Sequence, residues 1–399
     1  MGFLSEVPKG DVREVVRHFT PNWFAANMGT GILALMLSLF PYGHWGQLAI
    51  ARGLWLINTF FFTLFALLFV GRGVFYPQSF RRIFDHPIQS LFLGAIPMGF
   101  ATIINGFFLI WPLSPTTLQI ATLFWWIDVL LSLASVLIVP FFMFTSQGHS
   151  MERMTAAWLL PVVPPEVAAA SGGLLAPHLG GIAAQNVIFT SYALWAISVP
   201  LALSILTILM LRLTLHKLPH QDMAVSAWLP LGPLGTGAMA MLTLGHAGSL
   251  VFTGKLADMA PFALQGGLFI AMLLWGYGLW WLFMAIFFTL RYLREGLPFN
   301  MGWWGFTFPL GVFNSATYLL ADHTGYWLFA PLGAVFTLLL AFFWVVVTQK
   351  SFVGMWTGRL FRAPCLAEET CLSQETGLPQ TGLRSISPPS EDLMKTLRQ

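Results

Sequence analysis

The 399-residue sequence is short of charge. Asp, Glu, Lys and Arg make up 9% of it, where a soluble globular chain carries about 25%. With 19 Lys and Arg and 16 Asp and Glu, a soluble protein of this size would expose more apolar surface than it could keep dispersed, so an ordinary soluble enzyme is excluded. The net charge of +3 is too small and too scattered for a nucleic-acid partner. Cysteine is almost absent, and Cys365 and Cys371 make neither a disulfide scaffold nor a metal signal. No Gly-x-x-x-x-Gly-Lys-Ser/Thr loop exists to cradle phosphates, so no ATP is expected. There is no Gly-x-Ser-x-Gly motif, and no His-x-x-His or Glu-x-x-His pair lies in an apolar stretch. An enzyme, a metal and any other cofactor are therefore not expected. Charged residues precede the first apolar run, so a cleavable signal peptide is not expected either.

What is there is hydrophobic: 57% of the residues, with 37 Phe and 17 Trp. Ten apolar runs fall at 21–40, 53–71, 88–111, 118–144, 155–176, 186–211, 225–252, 262–290, 301–320 and 325–348. About 20 such residues cross a bilayer as a helix. The runs are continuously apolar, without the period-two alternation of a barrel strand. The expected fold is an all-α integral membrane protein with ten transmembrane helices. Every Lys and Arg except Arg52 and Lys255 falls in the N-terminus, in alternate loops or in the C-terminal segment. That asymmetry predicts an even number of spans with both termini cytoplasmic. Three segments follow: a cytoplasmic segment 1–20, a transmembrane domain 21–348 and a cytoplasmic, largely disordered tail 349–399. Val12, Val15, Val16 and Phe19 stand at helical spacing among basic residues, as in a helix lying on the inner leaflet.

The odd-numbered spans carry the breakers. They hold Gly29 and Gly31; Pro97 and Gly99; Pro161, Pro164 and Pro165; Pro233, Gly235 and Gly237; and Pro309 and Gly311. A break frees backbone groups that need a partner or a wet cavity, which suggests an inner ring of five kinked helices, one from each of five hairpins. The competing reading is close helix packing through small residues. Two acids lie deep in the spans, and an acid there usually faces a partner or water. Glu166, after Pro164 and Pro165, reads as a proton-linked switch or selectivity element, or as a carboxyl bonded to opened backbone. Asp128, on an even-numbered span, reads as a structural hydrogen bond. No Lys or Arg is expected inside the membrane. An anion would then be held by helix dipoles, freed amides and the side chains of Asn27, Thr30, Thr102, Asn105, Ser171, Thr236 and Asn314.

Five stretches carry a family resemblance: FTPNWFAANMGTGI at 19–32, SLFLGAIPMGFATIIN at 90–105, AAWLLPVVPPEVAAASGG at 156–173, GPLGTGAMAMLTLG at 232–245 and WWGFTFPLGVF at 303–313. Together they resemble the tellurite-resistance/dicarboxylate transporter family, also called the voltage-dependent anion channel family. The resemblance covers about residues 19–348 and looks closest to the fungal sulfite-efflux and malate-permease branch. It implies five hairpins in quasi-fivefold arrangement, with the odd helices lining a central pore. It also implies a phenylalanine gate at Phe308, beside Pro309. The function implied is transport of small anions, most of all sulfite efflux or malate transport, in the plasma membrane. Other possibilities are a passive, weakly selective channel for chloride or nitrate and, more remotely, a membrane-embedded enzyme or sensor. Bacterial and plant members are homotrimers, so a homo-oligomer is implied. The chain departs from the fungal pattern at Glu166, where an apolar residue is expected.

Overall fold

The computed structural model describes residues 12–43, 45–356 and 360, and every regular element among them is helical. The tail expected to be disordered lies, from residue 361 onward, outside the described residues. Helix α1 (Val12–His18) is a short exposed lead-in that packs on α3 (Trp45–Phe75). Five short helices then alternate with longer ones. The short helices are α2 (Phe24–Ser38), α5 (Ala95–Leu109), α7 (Pro164–Leu175), α9 (Leu231–Val251) and α11 (Phe308–Thr324). The long ones are α3, α6 (Pro115–Thr145), α8 (Gly181–His216), α10 (Met259–Glu295) and α12 (Phe329–Trp356). A further helix, α4 (Pro77–Asp85), lies in the loop before α5.

Each expected apolar run holds one of these helices, but their lengths differ from expectation. Seven stretches are long and apolar enough to cross a membrane: Gly46–Phe75, Ser90–Leu109, Pro115–Thr145, Gly181–His216, Gln221–Val251, Met259–Glu295 and Phe329–Trp356. The protein is therefore a multi-pass membrane protein. The other three expected spans hold α2, α7 and α11, of 15, 12 and 17 residues. At about 1.5 Å per residue, none of these reaches the roughly 30 Å of a hydrocarbon core. They need not, because they are surrounded by protein. At the other end of the chain, α12 runs on to Trp356, so the boundary expected at 348 falls inside a helix.

Proline explains where four of the five short helices begin. Pro164 and Pro165 open α7, Pro309 is the second residue of α11, and Pro97 and Pro233 fall in the first turns of α5 and α9. The missing N–H costs nothing there, and the fixed φ already suits a helix. Pro161 lies in the turn just before α7. The expected mid-span breaks are thus helix starts, each led in by a 3-10 segment. The glycines do not break their helices: α2 runs unbroken through Gly29 and Gly31, α5 through Gly99, α9 through Gly235 and Gly237, and α11 through Gly311. Four of them, Gly29, Gly31, Gly235 and Gly311, mark close approach instead. A Cβ on Gly235 would lie 2.5 Å from the Phe313 backbone, and one on Gly311 would lie 2.4 Å from the Ile32 side chain. The packing reading holds at these four positions.

The short helices touch in sequence, α2 on α5, α5 on α7, α7 on α9 and α9 on α11, and α11 touches α2 to close the cycle. Each long helix packs on the short helix before it and on the one after it. A tryptophan fixes each of the second set of contacts. The indole N–H of Trp55 on α3 donates to the Ile103 carbonyl of α5 at 3.1 Å, and Trp125 on α6 to Ala168 of α7 at 2.8 Å. Trp195 on α8 donates to Gly237 of α9 at 3.1 Å. Trp275 on α10 reaches Thr317 Oγ1 of α11 at 2.9 Å, and Trp344 on α12 reaches Thr30 Oγ1 of α2 at 3.0 Å. One bond therefore recurs five times around the cycle. At one end, the buried Arg72 guanidinium ties α3 to Phe19 and to Ser79 on α4.

Candidate functional site

The lead-in segments and first turns of the five short helices converge on one cavity of about 220 Å³. Asn22 and Ala25 line it from the start of α2, and Phe92 and Ala95 from α5. Ala157 and Leu160 come from the approach to α7, Ser226 and Leu229 from that to α9, and Gly305, Phe308 and Pro309 from the start of α11. A helix N-terminus behaves like roughly +0.5 of a charge. The helix starts gathered at this vestibule can attract an anion without any basic side chain. Among the described residues no Lys or Arg lines it, and Asp222 is the one charged side chain that does.

Phe308 forms the floor. It is buried, and the space around it shrinks to about 20 Å³ between Met28, Met98, Leu159, Leu160, Val163, Leu229 and Pro233. All five short helices or their lead-ins contribute. That volume holds about one water, but the lining side chains offer it no hydrogen bond. An apolar constriction of this kind dewets and stops a hydrated ion. The sequence singled out Phe308, Pro309 and Pro233 here. It missed Met28, Met98, Leu160 and Val163, which look like ordinary span residues and are found only by knowing which helix faces converge.

Most of the polar candidates are engaged between helices. Asn27 donates to the carbonyl and Oδ1 of Asn58 on α3, at 3.2 and 3.1 Å, and Asn58 donates to Thr102 Oγ1 at 3.1 Å. These three side chains bind α2, α3 and α5 together. Thr30 accepts from Trp344, and Asn314 donates to Thr337 Oγ1 at 2.8 Å, so both point toward α12. Ser171 donates back to the Val167 carbonyl at 3.1 Å. Asn105 is also buried, and among the described residues its Oδ1 has no partner, as is true of the Oδ1 atoms of Asn27 and Asn314. Asn58 was missed because charges were counted in the even-numbered spans and amides were not. A lone amide in an apolar helix is itself a packing signal.

Glu166 and Thr236 are brought together. Both are buried, with Thr236 Oγ1 3.2 Å from Glu166 Oε1 and also within reach of the Gly232 carbonyl. One hydroxyl proton serves one acceptor at a time. Either Thr236 donates to a carboxylate, or it turns to Gly232 and a protonated Glu166 donates to it. Glu166 Oε2 has no partner among the described residues and lies against Gly237. The hydrogen bond expected for Asp128 is not present. That residue lies one turn beyond Trp125 on α6, fully buried, and neither carboxyl oxygen has a partner among the described residues. The Ser132 hydroxyl, one turn further on, has none either.

The sequence profile of the voltage-dependent anion channel family matches residues 18–351. The chain is 41% identical over 356 residues to the sulfite efflux pump SSU1 of Trichophyton rubrum, covering 87% of this chain and 93% of that protein. It is 31% identical over 353 residues to an uncharacterized transporter of Methanocaldococcus jannaschii, with 88% and 99% covered. The malic acid transport protein of Schizosaccharomyces pombe is 22% identical over 365 residues, with 86% and 80% covered.

Proposed function

The chain belongs to the voltage-dependent anion channel family, and from that premise we propose that it carries small anions through the middle of its five short helices. Sulfite and short dicarboxylates such as malate are the preferred cargo, as the names of the fungal relatives suggest. Phe308 is the gate. The observation that carries this reading is the dry constriction around Phe308, to which all five inner segments contribute beneath the vestibule. The path is the axis of a ten-helix, quasi-fivefold transport domain that runs from residue 21 to the end of α12 at Trp356. The closed cycle of short helices and the five recurring tryptophan bonds support that arrangement. With both termini in the cytoplasm, as the charge asymmetry favours, the vestibule opens to the cytosol. A homotrimer in the plasma membrane completes the proposal.

Two observations pull toward different modes. The absence of basic side chains from the vestibule and constriction favours weak holding and fast passage, as in a channel. The Glu166–Thr236 pair, which has two proton arrangements, favours a carrier coupled to protons. Flux of sulfite, malate, nitrate and chloride by purified protein in liposomes, with and without a pH gradient, separates them. Sulfite or malate flux driven by the gradient identifies the coupled carrier. Unselective flux that follows voltage alone identifies the channel, and no flux of any anion contradicts both. Glu166→Gln is expected to flatten the dependence of flux on pH. An unchanged profile makes Glu166 a structural carboxyl.

A further inference from the structure

A second cavity, of about 540 Å³, lies beside the vestibule. Its walls are the loop after α6, the end of α8 with the loop that follows, and the approach to α5. Ile88, Ala157 and Met223 line both cavities, so they share a wall. Their chemistry is opposite. Among the described residues the vestibule has no basic side chain, whereas the side chamber has Arg153, Arg212, His149, His216 and His220 against one carboxylate, Glu152.

Arg212 makes the chamber a built site. It is 3% exposed, and its guanidinium donates to the Lys217 carbonyl at 2.5 Å and the Glu152 carbonyl at 2.7 Å. It thereby pins one wall to the other. Its Nε has no partner, and no carboxylate pairs with it among the described residues. Lys217 adopts a left-handed φ of 61° in turning its carbonyl back onto the guanidinium. A buried cation balanced only by carbonyl dipoles is costly, and a mobile anion beside it offsets that cost. Arg153 adds a second charge that is exposed at the chamber wall.

We propose that this chamber is a capture site for small oxyanions, sulfite or a short dicarboxylate, which it holds in water-filled space before they pass into the adjoining vestibule. The proposal deepens the proposed function and rests on its topology, with this face toward the cytosol. The vestibule attracts anions only through helix ends, while the chamber supplies full charges next door and raises the local anion concentration. At physiological salt the field is screened over about 8 Å, so the site acts within its own walls and at the shared one.

Three imidazoles line the chamber beside the two arginines. His149 packs edgewise on Trp158 with ring centroids 5.2 Å apart, and burial lowers its pKa below the ordinary imidazole value. It is neutral at pH 7 and gains charge only below the usual range. His216 and His220 are exposed, and Asp222 lies 3.1 Å from His220. The charged groups facing these rings are Glu152, Arg153, Arg212 and Asp222.

The test compares Arg153→Gln/His216→Gln, whose side chains are both exposed, with Arg294→Gln, an exposed basic residue outside the chamber. Full-length protein is used throughout. Sodium sulfite efflux from the chamber side of proteoliposomes is expected to show a KM raised about three- to tenfold in the double variant, with kcat unchanged. Calorimetric binding of sodium sulfate, whose charge does not change between pH 6 and 8, is expected to weaken by the same factor. Arg294→Gln is expected to behave as wild type in both. Equal KM and equal sulfate affinity in the double variant overturn the proposal, and so does equal weakening in Arg294→Gln. If wild type carries no anion, the transport reading fails, and the chamber then stands or falls on sulfate binding alone.

Discussion

The inner and outer helices are both apolar, yet they spend that character differently. The stretch containing α9 is 89% buried, whereas that of α3 is 17% buried. Inner helices meet protein on every side and use Gly, Ala, Pro and Thr to come close. Outer helices turn large side chains outward, such as Phe60, Phe144, Phe262 and Phe283, where lipid replaces the core. Hydrophobicity alone therefore does not tell a helix that lines a path from one that seals it. Residue size does, because small residues let five backbones meet around an axis.

The contrast breaks most sharply at Gly235. A Cβ there would lie 2.5 Å from the Phe313 backbone, which cannot swing away as a side chain can. Gly235→Val is expected to cost at least the upper end of about 1–3 kcal/mol for overpacking, seen as loss of folded, monodisperse protein after detergent extraction. Recovery at wild-type yield and melting temperature would mean that α9 and α11 are not packed so closely.

Asp128 tests the outer ring from the opposite direction. Its carboxyl is buried without a partner, so Asp128→Leu removes a desolvation cost of about 1–3 kcal/mol. A raised melting temperature in detergent is expected. A lowered one would show that the carboxyl is satisfied in the native protein.

The smallest effect belongs to the tryptophan bonds that join the two rings. Trp195→Phe keeps the aromatic bulk but loses the bond to the Gly237 carbonyl. The expected loss is about 1 kcal/mol, with transport intact. The same change at Trp125, whose bond goes to Ala168, is expected to cost a similar amount. A tenfold difference in transport between the two variants would mean that the five bonds are not equivalent.

The positions of the helices were legible in the sequence, and their lengths were not. The run at 53–71 became α3 over Trp45–Phe75 because the helix continues through polar ends that an apolar window trims off. The run at 155–176 shrank to Pro164–Leu175 because its first third, although apolar, turns at Pro161. Proline was read as interrupting helices when it starts them, since sequence shows where a hydrogen bond is missing but not which turn can do without it. Within the site, Phe308 stood out through family resemblance, and nothing in its own neighbourhood distinguishes it from the other 36 phenylalanines. The amides and hydroxyls were legible as polar but not as occupied. Asn27, Thr102 and Asn314 are engaged because partners on other helices come within 3.2 Å, and no single run of sequence contains both members of such a pair.

The most direct measurement is basal anion flux through Phe308→Ala in proteoliposomes, set beside Phe306→Ala. Phe306 is just as buried, but it stacks on Phe343 of α12, away from the constriction. If Phe308 closes the path, Phe308→Ala raises sulfite and chloride flux at least about tenfold, since opening a dry constriction removes a barrier worth several multiples of RT, while Phe306→Ala leaves flux at the wild-type level. Equal flux in the two variants, with both proteins folded and inserted, would contradict a gate at Phe308.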